Sequence, residues 1–188
     1  MKLYHGSFFS NLKILEPISK FHDDITKKVV YLTENKAYSL FYIWDAKHNN
    51  LSTKYVTCWI KDGITHYEEQ FSNQLSELYK NVSGYIYSFD NLLNCIKAKE
   101  PDMWAIEGVV KPSNVEHIKN VYEEILKYEK LGKVIIHRYD ELTESERIKI
   151  DEKMAKYIKT NCFSSPNSEK TIFIKTHLIN AWKKAENI

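Results

Sequence analysis

The apolar residues of this chain change their spacing near residue 112, and that change limits the possible fold more than any other feature. Before it, short runs rich in Val, Ile, Tyr and Trp alternate with turn residues, at 1–5 (ending on Gly6-Ser7), 29–32, 53–62, 64–70, 84–88 and 103–110. Runs of that length and composition suit a pleated, half-buried surface and read as strands. Residues 53–62 are apolar on both faces, as a central strand is, and Asp62-Gly63 supplies a hairpin turn into 64–70. Residues 8–24 read as a loop with a short helical turn, 35–44 as a helix behind an N-cap at Thr33, 71–81 as a short helix and 92–97 as strand or helix. Beyond residue 112, Val121, Ile125 and Tyr128 recur at helical spacing within 115–131, and amphipathic patterns cover 144–159 and 168–186, with a short strand at 133–137 between them. The expectation is an α+β chain, with a sheet-rich core over residues 1–112 and a mainly helical extension over 113–188 packed against it.

Composition narrows the function classes. Hydrophobic residues make up 43% of 188, enough for a true core. Lys plus Arg number 27 against 25 Asp plus Glu, so a formal charge of +2 gives no overall electrostatic argument for nucleic acid or a membrane surface. Cys58, Cys95 and Cys162 are odd in number and far apart, which argues against a disulfide framework or a zinc site; Cys58 and Cys95 read as core residues and no metal is expected. The N-terminus lacks the apolar core of a signal peptide and no run of about 18 apolar residues occurs, so the reading is a soluble cytoplasmic protein without membrane attachment.

Polar groups gather at two strand ends, where small-molecule sites are commonly built. Leu3-Tyr4-His5-Gly6-Ser7 runs into a turn, and Val30-Tyr31-Leu32-Thr33 runs into the helix carrying Ser39 and Tyr42. Singly, each has an ordinary reading: a glycine turn capped by a histidine, a core tyrosine, two points on an exposed helix face. Glu107 stands out as one carboxylate inside the run 103–110, with Glu100, just before Pro101, as the alternative. His66-Tyr67-Glu68 cannot converge on one ligand, because neighbouring strand side chains point to opposite faces; Tyr67 is expected buried, His66 and Glu68 solvated. There is no Gly-rich phosphate loop, HExxH or serine-hydrolase elbow, and His22, His48, His117, His137 and His177 are isolated. Lys159, Lys170, Lys175, Lys183 and Lys184 interleave with Glu152, Glu169 and Glu186, the pattern of a solvated helix surface.

Taken jointly, the residues at the two strand ends resemble the ADP-ribosyltransferase superfamily, in the His-Tyr-Glu branch of diphtheria toxin and the poly(ADP-ribose) polymerases. The first strand of that branch carries His-Gly-Ser or His-Gly-Thr, here His5-Gly6-Ser7. Its second block in the polymerases reads Tyr-Phe-Ala, with a serine eight and a second tyrosine eleven residues after the first; Tyr31-Leu32-Thr33, Ser39 and Tyr42 reproduce both intervals. The resemblance covers the first 42 residues and, loosely, the segment around Glu107.

The resemblance implies a split, mixed β-sheet and NAD as substrate. His5 would bond a hydroxyl of the adenosine ribose, and the Gly6 backbone and Ser39 hydroxyl would hold the nicotinamide carboxamide, with Ser7 in the same binding set. Tyr31 and Tyr42 would sandwich the cationic ring. Glu107 would bind the nicotinamide ribose and stabilise the positive charge that develops as nicotinamide leaves, with Glu68 or Glu69 near the acceptor side. The implied activity is mono-ADP-ribosyl transfer to an unknown protein or nucleic-acid acceptor, with NAD glycohydrolysis when water substitutes. A bacterial toxin or phage-defence effector, with an antitoxin or regulatory partner, would fit. The alternatives are a catalytically inactive NAD-binding or nicotinamide-binding interaction module of the same fold, and an RNA phosphotransferase of a related fold. The last needs a set of arginines, and this chain has only Arg138 and Arg147.

Overall fold

The computed structural model describes residues 1–45 and 55–187; His48 and the first two residues of the strand expected over 53–62 lie outside the described residues. The strands are β1 (Lys2–Ser7), β2 (Ser19–Phe21), β3 (Asp24–Thr33), β4 (Thr57–Lys61), β5 (Ile64–Glu68), β6 (Gly84–Asp90), β7 (Ile96–Lys97), β8 (Met103–Ile106), β9 (Asn114–Ile118) and β10 (Val134–His137). The helices are α1 (Lys36–Ser39), which continues as a 3-10 turn (Leu40–Tyr42), α2 (Gln74–Tyr79), α3 (Val121–Lys130), α4 (Glu144–Asn161), α5 (Glu169–His177) and α6 (Ile179–Glu186). The fold class is α+β, as expected.

Contacts divide the chain into one unit of Met1–Trp44, Cys58–His66 and Tyr79–Ile135, and another of Asp45–Thr57, Tyr67–Leu78 and Ile136–Ile188. The division therefore does not fall at residue 112. The reason is β9: residues 114–118, of which 115–118 are expected as the start of a helix, instead pair antiparallel with β6 from Ser88↔Asn114 to Gly84↔Ile118. Val115 and Ile118 are three apart, so they imitate helical spacing while lying in a strand. The helix begins only after Asn120, whose side chain accepts from the Glu123 N–H.

The first unit is built on a sheet of order β7-β8-β3-β1-β6-β9, with β2 paired to β3. β1 lies between β3 and β6, and Leu3, Val30, Leu32, Tyr87, Phe89 and Ile106 form a buried cluster over it. β2 corrects the expected helical turn in 8–24: that stretch is a loop followed by a strand that folds antiparallel onto β3. The loop is held by the Tyr87 hydroxyl, which donates to the Phe9 carbonyl at 2.8 Å and accepts from the Leu12 N–H at 3.2 Å, and by an antiparallel bridge between Leu15 and Val110. β8 stops at Ile106, short of the expected 110, and Glu107 lies beyond the strand. Thr33 is not the helix cap either. Asn35 is: its side chain accepts from the Tyr38 N–H, while Thr33 Oγ1 accepts from the Asn35 N–H at 3.0 Å.

A separate three-stranded sheet has the order β10-β5-β4, and Asp62 (φ 52°) and Gly63 (φ 74°) make the expected turn between β4 and β5. In the second unit, α4, α5 and α6 enclose a core of Ile150, Met154, Ile158, Cys162, Ile174 and Leu178. α4 starts with a capping box between Thr143 and Glu146. The single helix expected over 168–186 is two helices, because Leu178 (φ −108°, ψ 53°) breaks the run.

Candidate functional site

Both strand ends open on one cleft of about 1070 Å³, lined by His5, Gly6, Ser7, Tyr31, Tyr42 and Glu100. All six belong to the first unit. β1 and β3 are neighbours in the sheet, and the short α1 with its 3-10 turn carries the chain back from Thr33 to Tyr42.

His5 Nδ1 lies 3.1 Å from the Tyr31 carbonyl oxygen. A carbonyl only accepts, so Nδ1 carries the hydrogen and Nε2 of the neutral ring is an acceptor. Burial lowers the His5 pKa, opposed by the bond to Tyr31, and so favours that neutral form. Gly6 serves packing: a Cβ there would stand 1.9 Å from the Ser39 carbonyl oxygen, so only glycine lets β1 pass this close to α1. Ser7 Oγ accepts from the Phe9 N–H at 3.1 Å and fixes the turn out of β1.

The Tyr31 hydroxyl accepts from the His22 N–H at 2.8 Å and reaches the Lys20 carbonyl at 3.3 Å, so the ring is anchored at its tip by the β2–β3 hairpin. Tyr42 is 38% exposed and lies edge-on to Tyr38 and Phe41, at 5.6 and 5.0 Å between centroids. Burial raises its phenol pKa above the ordinary value, and the Glu100 charge adds to the push. Burial also raises the Tyr38 phenol pKa, and the neighbouring Tyr42, to which it is bonded, adds to the push. Trp44 also lines the cleft, and its indole N–H is buried and, among the described residues, unbonded.

Two expected site residues lie elsewhere. Ser39 is fully buried, its hydroxyl donates to the Lys36 carbonyl at 2.7 Å, and it is not on the cleft wall. Glu107 is exposed, pairs with Lys27 Nζ at 2.6 Å across the β3–β8 edge, and is also absent from the wall. Two glutamates line the wall, Glu16 from the loop between β1 and β2 and Glu100 from the turn between β7 and β8, where Asp102 takes φ 56°; of the two carboxylates expected at the site, Glu100 is the one there. Glu100 Oε1 lies 3.1 Å from His22 Nδ1, and that bond holds its carboxyl below the usual range.

His66 is buried and stacked on Trp59 (5.1 Å, 15°), not solvated as expected, while Tyr67 is fully buried as expected. Glu69 is buried too, and its carboxylate accepts from the Leu75 N–H at 3.0 Å and the Tyr139 N–H at 3.3 Å. That bonding gives Glu69 a structural task at the start of α2. Cys58 and Cys95 are half-buried, and Cys162 is the buried one.

His22 is a cleft residue that the sequence leaves unmarked. Its partner is 78 positions away, so no local spacing marks the pair. Among the described residues no group of three or more His, Cys, Asp or Glu side chains could hold a metal, and no helix is long and apolar enough to cross a membrane. Comparison of the chain with protein-family models, with curated proteins and with solved structures gave no match.

Proposed function

We propose that this chain is an NAD-dependent mono-ADP-ribosyltransferase of the His-Tyr-Glu type, with Glu100 as its carboxylate. The observation that carries the reading is that His5, Gly6, Tyr31, Tyr42 and an ionised glutamate line one cleft although they are spread over 96 positions, from residue 5 to residue 100. The cleft volume suits a ligand of nucleotide size.

In this reading the neutral Nε2 of His5 accepts from a ribose hydroxyl, and the faces of Tyr31 and Tyr42 receive the cationic nicotinamide ring. Glu100 accepts from the hydroxyls of the nicotinamide ribose. As the glycosidic bond breaks, its electron pair leaves with nicotinamide and positive charge grows on the ribose, which the carboxylate favours more in the transition state than in the ground state. An acceptor nucleophile then takes the ribose, and water does so slowly in its absence. Ser39 contributes through its backbone against Gly6, not through its hydroxyl. A binding-only module would be expected to present neither Glu107 nor Glu100 to the cleft, and Glu100 lines it.

The test is nicotinamide release from NAD by the wild type, His5→Ala and Tyr42→Ala. Release by the wild type, weakened in both variants mainly through KM, supports the reading. A wild type that neither binds nor consumes NAD overturns it.

A further inference from the structure

Glu100 fixes a second group at the cleft. His22, in the turn between β2 and β3, has Nδ1 3.1 Å from Glu100 Oε1, its own N–H on the Tyr31 hydroxyl at 2.8 Å, and its ring 5.3 Å from the Tyr31 ring. It is therefore oriented from several directions although its side chain is 70% exposed. The neighbouring Asp23 is paired with Lys99 at 2.7 Å, which leaves Glu100 as the carboxylate acting on the imidazole. An ionised carboxylate only accepts, so Nδ1 carries the hydrogen, and in the neutral ring Nε2 then holds the lone pair.

An imidazole oriented by a carboxylate, on the wall of a substrate cleft and open to solvent, is placed to take a proton from an incoming nucleophile. We propose that His22 is the general base for the acceptor, and that the acceptor is accordingly a neutral hydroxyl group and not a carboxylate. The proposal rests on reading the cleft as an NAD site. A hydroxyl must lose its proton as the new bond forms, because its pKa lies far above neutrality, whereas a carboxylate arrives already ionised.

The step balances without oxidant or reductant. The acceptor oxygen bonds to C1′ of the nicotinamide ribose, and the C1′–nitrogen bond breaks with its electron pair going to nicotinamide, which leaves neutral. The hydroxyl proton passes to Nε2 of His22, and Glu100 stabilises the imidazolium.

Methanol and azide separate this role from a structural one, since methanol has a proton to lose and azide has none. Full-length wild type, His22→Ala and His22→Gln are incubated with NAD and each nucleophile, and methyl-ADP-ribose and azido-ADP-ribose are quantified by mass spectrometry. His22→Ala and His22→Gln are expected to lose methyl product by on the order of a hundredfold while azido product stays within about threefold. Equal losses of both products, or methyl product at the wild-type level, would overturn the proposal while NAD consumption leaves the cleft reading standing. A wild type that does not consume NAD overturns both.

Discussion

His5 in β1 donates through Nδ1 to the carbonyl oxygen of Tyr31 in β3, 3.1 Å away, so the two residues that head the sequence motifs are joined through the backbone of one of them. Burial is the larger influence on the imidazole and lowers its pKa from 6.5. As pH falls below 6.5, the unfolded chain therefore takes up a proton that the folded chain resists. Stability is lost over the window from the unfolded pKa down to the lower folded one. Thermal melts from about pH 7.5 to about pH 5 should show Tm falling with pH, and His5→Asn should flatten that slope. An unchanged slope in His5→Asn would assign the pH dependence to other groups.

Gly6 passes so close to α1 that any side chain collides with the Ser39 carbonyl. Gly6→Ala should cost about 2–3 kcal/mol or more in urea denaturation, because the obstacle is backbone and cannot rotate away. If Gly6→Ala keeps full stability but loses NAD binding, the glycine serves ligand approach in place of packing.

The Tyr87 hydroxyl ties the loop after β1 to β6 through Phe9 and Leu12. Tyr87→Phe leaves the ring in place and frees the loop, at a stability cost of about 1–2 kcal/mol. Phe9 and Leu12 line the cleft, so KM for NAD should rise several-fold with kcat little changed. A fall in kcat alone would contradict this.

Glu69 accepts two backbone N–H groups from inside its unit. Glu69→Ala should lower stability by about 1–3 kcal/mol, since buried donors lose their partner. Nicotinamide release per folded molecule should be unchanged; a selective loss of transfer to acceptor would restore Glu69 to the reaction.

What could be read from the sequence was local. Tyr31 and Tyr42 reach one cleft because a strand, a helical turn and a 3-10 turn carry the chain between them, and Asp62-Gly63 marks its hairpin by chemistry alone. What escaped depended on distant partners or on ambiguous periods. Glu100 and His22 meet across 78 residues, and β9 exists because β6 offers an edge to a segment whose Val115 and Ile118 also fit a helix. Thr33 and Asn35 are both good caps by type, and the Asn35 side chain wins by also donating to the Gly63 carbonyl at 2.9 Å and accepting from the Thr65 hydroxyl at 3.2 Å. Glu107 was the more prominent carboxylate in the sequence, but the strand that should have carried it ends at Ile106 and Lys27 neutralises it outside the cleft.

The most direct measurement is nicotinamide release from NAD by Glu100→Gln and Glu107→Gln side by side with the wild type. Glu100→Gln keeps size and hydrogen bonding but removes the charge, so release should fall by roughly a hundredfold or more, while Glu107→Gln stays near wild type. Full activity in Glu100→Gln together with loss in Glu107→Gln would contradict the assignment of Glu100 as the reacting carboxylate.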